Sequence, residues 1–202
     1  MSENPLLLLI MTAAALYVGK LWRDDYRSNL AGKPHPQALP GATSAPRNAY
    51  LIAIVGSLIL LIGETLGEYQ LGIVSEQSEL TILLALYTLA APIIEEIIFR
   101  GYLVLNNRGS AARWAGIIAA SAIFALIHPF LWEWDETFTL TLTAKGAFST
   151  AAAFVFSLWF YAVRFARWNH RHSLLPCFVA HATKNLGVIA IKAAQGYVVG
   201  WW

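Results

Sequence analysis

Long apolar runs separated by short polar stretches set the pattern of this chain. Six runs read as helices, over about 5–22, 48–66, 80–105, 111–128, 147–166 and 174–196. Most lie near the ~20 residues needed to cross a hydrocarbon core. The first run has no basic residue ahead of Lys20, only Glu3, and no clean small-residue cleavage site. It is therefore expected to be a retained transmembrane helix rather than a signal peptide. Residues 28–47 are rich in Pro, Gly, Ala and Ser, which predicts a surface linker or mobile loop. The pattern as a whole predicts an all-α, polytopic transmembrane helical bundle of about six crossings. It divides into N-terminal membrane helices over 1–79, with the polar linker 28–47, and a helical core over 80–202.

Composition agrees with the pattern. The 202 residues are 57% hydrophobic and 13% charged, against about 25% charged in ordinary soluble domains. Charge in the loops alternates. Lys20, Arg23, Arg27, Lys33 and Arg47 follow the first run; Glu68, Glu76 and Glu79 follow the second. Arg100, Arg108 and Arg113 come next, then Glu133, Asp135 and Glu136 against Lys145 alone, then Arg164, Arg167 and Arg171. Basic loops mark the cytoplasmic side, so both termini are expected outside the cytoplasm. Short loops without eukaryotic sorting signals fit a prokaryotic plasma membrane. Membrane lipids are the implied surroundings. Nucleic acid is not an expected partner, because no basic patch with interleaved aromatics exists apart from the loops that topology explains. The single cysteine, Cys177, excludes an internal disulfide and a cysteine-rich metal site; its apolar context predicts a packing role. The eight Trp residues fit interfacial anchoring, and Trp201-Trp202 fit a membrane surface.

Against this background Glu95-Glu96-Ile97-Ile98-Phe99-Arg100 stands out. It follows fifteen residues, Leu80 to Ile94, without a charge. A charged group at bilayer depth costs a few kcal/mol unless compensated. On a helix Glu96 and Arg100 are i and i+4, with Glu on the N-terminal side, the favoured order for an ion pair. Glu95 shares its face with Ala91 and Phe99 and has no cation there. Glu96 is thus the structural half of a local pair. Glu95 is the carboxylate that must find a proton, a water or a partner on another helix, and is the candidate general base. Pro92, three residues earlier, removes the amide that would bond the Thr88 carbonyl, so a kink near Glu95 is expected.

Few other polar residues interrupt the later runs. His128 ends the fourth, where Pro129 breaks it. His181 and Asn185, i and i+4 in the sixth, face one side. Either is ordinarily an interfacial residue or an interhelical hydrogen-bonding pair. Together, a lone Glu, a His and a His/Asn pair on three helices supply a base, its partner and two donors for a developing oxyanion.

Glu95-Glu96-x-x-x-Arg100, Phe124-x-x-x-His128 and His181-x-x-x-Asn185 resemble the three motifs of the type II CAAX prenyl protease family. That family is part of the wider group of CAAX proteases and bacteriocin-processing enzymes (the Abi group), which are glutamic intramembrane proteases. The resemblance covers about residues 80–196, with no departure at the motif positions. It implies an intramembrane endopeptidase without a cofactor, acting on a membrane-associated peptide or protein. Glu95 would activate the attacking water together with His128. Arg100 would hold the site through Glu96, with Phe124 in support, and His181 and Asn185 would form the oxyanion hole.

Two other readings stay open at this point. Glu95, His128 and His181 would be an acceptable catalytic zinc set, although the chain has no His-Glu-x-x-His motif. The same cluster would also suit a small proton- or ion-coupled transporter, or an inactive scaffold. Further residues have plainer expectations. His170 and His172 lie in a basic interfacial loop. Glu68 is expected to be solvated and Glu64 to be a distant partner of the site. Gly63 and Gly67 point to close helix packing. Lys184 and Lys192 are expected to snorkel or to pair with a carboxylate. Trp132-Glu133-Trp134-Asp135-Glu136 reads as an aromatic belt with an acidic edge. Drawn as straight spans, the helices place Glu95, His128 and His181 at different depths, so stagger or breakage is required for them to meet.

Overall fold

The computed structural model describes residues 4–105, 108–134 and 136–202. Asp135 and Glu3 of the sequence reading lie outside the described residues. Six helices dominate: α1 (Pro5–Leu30), α2 (Arg47–Leu71), α3 (Ile82–Glu96), α4 (Gly109–Ile127), α5 (Ala144–Phe165) and α6 (Leu175–Ala194). Five spans are long and apolar enough to cross a membrane by length and composition: α1, α2, α3 with the turn that continues it to Tyr102, α4 and α5. The sixth run is α6, which carries His181, Lys184, Asn185 and Lys192 and lies against α2, α3 and α5. The protein is an all-α polytopic membrane bundle.

Neighbours follow from which faces are apolar and small. The α1 helix packs on α3, α2 on α5 and α6, and α4 on α5. The main core joins Trp22, Leu61, Ile97, Phe160, Val163 and Cys177. Cys177 is fully buried, as its context predicts. Leu9, Val55, Ile59, Ile118 and Ile123 point outward, where lipid solvates them. Gly67 allows close approach: a Cβ there would sit 2.6 Å from Phe148. Gly63 faces open space and has no such role.

Three regions depart from the expected pattern. Residues 31–46 are not a loose linker. Trp22 Nε1 donates to Pro40 O at 3.0 Å, Leu39 N to Asp25 Oδ2 at 2.8 Å and Leu174 N to Gly41 O at 3.0 Å. Ala42 is buried beneath them. The composition signalled a segment without regular structure, but side chains of α1 and the α5–α6 connection satisfy its backbone. The belt around Trp132 forms a small antiparallel hairpin, β1 (Trp132–Trp134) with β2 (Phe138–Leu140). Glu68 is buried rather than solvated: Lys145 pairs with it and Gln77 Nε2 donates to it at 2.6 Å.

The α5–α6 connection is knotted by one side chain. Asn169, fully buried, donates to Val163 O, Arg164 O and Ser173 O and accepts from Ser173 N. At the opposite end the C-terminal segment returns over the start of α3. Ile82 N and Leu83 N, which no helical carbonyl can serve, donate to Gly200 O and Trp201 O. Asn169→Ala removes several buried bonds, each worth about 1 kcal/mol net. The expected outcome is a lower thermal unfolding temperature in detergent, with retained helical circular dichroism.

Candidate active site

The site is built where α3 stops being regular. Pro92 lies inside the helix and has no N–H to give Thr88 O. An unpaired carbonyl in lipid is costly. Asn185 Nδ2, from α6, donates to Thr88 O at 2.8 Å. The proline that breaks the ladder of one helix therefore fixes a second helix against it.

Four residues later the α-helix ends at Glu96 and a π-helical turn runs over Ile97–Tyr102, closed by Leu103 N donating to Ile98 O at 2.9 Å. A π turn adds a residue to the helical circuit, and such turns recur at functional sites. Ile97, Phe99 and Arg100 are all buried as a result. The carbonyls loosened by the wider turn are served from α5. Tyr161 OH donates to Phe99 O at 2.6 Å and Leu103 O at 3.3 Å, and Arg164 Nε to Arg100 O at 3.3 Å.

Arg100 and Glu96 are each 0% exposed, with Arg100 Nη1 3.3 Å from Glu96 Oε1. The i, i+4 pair implied by the sequence is present. Its setting was not legible: Arg100 Nη2 donates to Ser157 O at 3.1 Å and Ser157 Oγ at 2.6 Å, and Ser157 Oγ donates to Ser121 Oγ at 3.0 Å. The guanidinium lies over Phe124, Tyr161 and Phe160, at 4.6, 4.9 and 5.1 Å from the ring centroids. Aromatic faces attract a desolvated cation.

Glu96 Oε1 is shared. It also accepts from His181 Nδ1 at 2.8 Å, which directs His181 Nε2 toward Glu95 Oε2, 3.7 Å away. The His181 ring stacks on Phe160 at 4.6 Å. Glu95 itself is partly exposed, with a side chain 27% accessible, yet its Oε2 is buried and has no hydrogen-bond partner. A chain of contacts thus runs Ser121–Ser157–Arg100–Glu96–His181–Glu95 across α4, α5, α3 and α6.

His128 caps α4 in an extended conformation, ψ 132°, as the residue before a proline favours. Its Nδ1 donates to Phe124 O at 2.6 Å, and its Nε2 has no hydrogen-bond partner among the described residues. No hydrogen bond joins His128 to Glu95 among the described residues. Phe124 is the link: its ring is 4.7 Å from His128, 6.0 Å from His181 and 4.6 Å from Arg100. Phe124 thus brings the end of α4 against His181 of α6, although straight spans would place His128 and His181 at different depths. Asn185 joins the cluster with one of its two amide hydrogens already given to Thr88. Sequence reading missed Ser121, Ser157, Tyr161 and Arg164. The first three carry no charge, and isolated hydroxyls are common in membrane helices; Arg164 was absorbed by the basic-loop pattern.

No three His, Cys, Asp or Glu side chains converge on a metal-binding arrangement among the described residues. Of the candidate zinc set, Glu95 and His181 lie together, with Glu95 Oε2 3.7 Å from His181 Nε2, while the His128 ring packs on Phe124. His170 and His172 stay exposed outside it.

A bundle of long apolar helices with a largely buried charged cluster between them defines an integral membrane protein. Residues 77–187 match the type II CAAX prenyl endopeptidase family described as Rce1-like. The match takes in more than half of the chain and every motif residue named above, and the chain belongs to that family. It is a CAAX protease-type intramembrane endopeptidase. No curated protein and no solved structure matches it.

Two substitutions test the architecture. Glu96→Gln leaves the fully buried Arg100 without its counter-charge, and breaking a buried pair in this way costs about 3–5 kcal/mol. Most of the folded protein is expected to be lost in size-exclusion chromatography. Gly146→Ala places a Cβ 2.1 Å from the Phe130 carbonyl, so the turn after His128 must move. Reduced cleavage with near-normal folding yield is expected, measured on the same preparations.

Proposed function

We propose that the protein hydrolyses a peptide bond with a water activated by Glu95. The observation that carries this reading is the division of the two adjacent carboxylates. Glu96 is consumed by Arg100 and His181, while Glu95 keeps a buried oxygen without a partner 3.7 Å from His181 Nε2. A carboxylate oxygen without a partner is able to accept a proton, and the partial exposure of Glu95 supports access by water.

In this mechanism a water lies against Glu95 and the free Nε2 of His128. Its oxygen attacks the scissile carbonyl carbon while its proton passes to Glu95. Negative charge gathers on the carbonyl oxygen. His181, held at Nδ1 by Glu96, stabilises that oxygen when Nε2 also carries a proton, and the second Nδ2 hydrogen of Asn185 assists. The carbon–nitrogen bond then breaks, and the proton held by Glu95 is delivered to the leaving amine. No acyl-enzyme forms. Arg100, clamped by Ser157 and the rings around it, keeps Glu96 and hence His181 in position. The substrate is a membrane-associated peptide or protein precursor, and the enzyme itself sits in a prokaryotic plasma membrane with both of its termini outside the cytoplasm.

Glu95→Gln removes the base without removing volume. Loss of cleavage by about 10²–10⁴-fold is expected, the range a general base contributes, with an unchanged unfolding temperature. The measurement compares wild-type and variant membranes for one accumulating uncleaved precursor. Activity unaffected by chelators is the matching expectation; chelator-sensitive activity would favour the zinc reading, and unchanged cleavage by Glu95→Gln would sink the mechanism.

A further inference from the structure

A cavity of about 500 Å³ adjoins the cluster at the end of the bundle that carries the acidic loops. Its walls come from α2, the segment before α3, the turn after His128, the start of α5 and the second half of α6. One wall is shared with the site. Phe130 lines the cavity, and its ring stacks on His128 at 5.7 Å. Lys184 also lines it, three residues beyond His181 on α6.

Charge in this cavity is unevenly satisfied. Of its three lysines, Lys145 is paired with Glu68, and Lys192 donates to the carbonyl and hydroxyl of Ser78. Lys184 makes no hydrogen bond or ion pair among the described residues; its Nζ lies 5.6 Å from the Phe156 ring centroid. Glu64 lines the same cavity with a buried Oε2 that has no partner, and it is not within ion-pair distance of Lys184. A cation and a carboxylate held apart within a membrane bundle are expensive to maintain and mark a place where something else binds.

We propose that this cavity receives the segment of the substrate on one side of the scissile bond, and that Lys184 binds a carboxylate on that segment. The carboxylate is either the C-terminus of the peptide or an Asp or Glu side chain. Glu64 accepts an N–H from the same segment. Lys184 is a specificity-determining residue and takes no part in bond cleavage. A peptide suits the cavity better than a phosphate because Glu64, Glu68, Glu76 and Glu79 all border it: a dianion meets their repulsion, whereas a peptide brings donors for them. The proposal rests on the peptidase reading for its choice of ligand, and it orients substrate entry from the acidic-loop end.

Binding is tested without turnover, on the full chain carrying Glu95→Gln in detergent. The probes are four degenerate hexapeptide pools bearing an uncharged dye, with acidic residues included or omitted and with a free or amidated C-terminus. Fluorescence anisotropy is expected to show a carboxylate-bearing pool binding about tenfold tighter than the neutral amidated pool, the scale of one charge-assisted hydrogen bond. Adding Lys184→Met abolishes that preference and Lys184→Arg keeps it. The pool that shows the preference identifies which carboxylate is bound. Equal binding of all four pools, or a preference that survives Lys184→Met, overturns the proposal. So does a purely structural result, in which Lys184→Met lowers only the unfolding temperature and Glu64→Gln restores it. Cleavage of the pools by the wild type is read separately. Pools that bind through Lys184 but are never cut count against the peptidase reading and leave the carboxylate site standing.

Discussion

A guanidinium with no exposure to solvent is the constraint on which the rest of the structure depends. Arg100 cannot be left uncompensated among apolar helices, and its compensation draws in three helices, α3, α4 and α5. Glu96 supplies the counter-charge, Ser157 two acceptors, and Phe124, Phe160 and Tyr161 their ring faces. Each of those groups is itself fixed by the requirement. Ser157 leans on Ser121 of α4, and Glu96 turns its remaining capacity to His181 of α6. The order of the cluster is thus a consequence of neutralising one charge, and Glu95 is defined by being left outside that arrangement.

The interruptions of α3 serve the same end. A regular helix would satisfy its own backbone and present little to its neighbours. Pro92 frees one carbonyl and the π turn loosens others, and groups from α5 and α6 take them up. Those bonds cross between helices, where apolar contact alone gives little direction because lipid competes equally well for apolar surface. The same defects that cost regularity supply helix-to-helix register, and with it the approach of His181 to Glu95. The loop before α2 has a parallel role on the outside of the bundle, holding α1 and the α5–α6 connection together through backbone bonds that its composition does not reveal.

Much of the architecture was legible in the sequence because the bilayer leaves few choices. Runs of apolar residues near twenty long have to be helices there, since only a helix or a closed barrel satisfies the backbone in lipid. The separation of Glu95 from Glu96 was legible too, because helical geometry puts Arg100 four residues from one and not the other. Less was legible about the ends of elements and their loops. The turns of residues 39–44 are held by partners far away in sequence, such as Trp22 and Leu174. The burial of Glu68 depends on Lys145, seventy-seven residues on.

By itself, then, the sequence determined that this chain lives in a membrane, that it is helical, and that its polar chemistry sits on the third, fourth and sixth apolar runs. Those properties follow from local composition and from spacing within single helices. Only the tertiary structure decided how the runs meet: that Phe124 stands between His128 and His181, that Asn185 serves the carbonyl orphaned by Pro92, and that Lys184 and Glu64 face one cavity without touching. Such relations depend on helix stagger and on the broken geometry of α3, which arise from long-range compensation of charge and backbone polarity that no local pattern encodes.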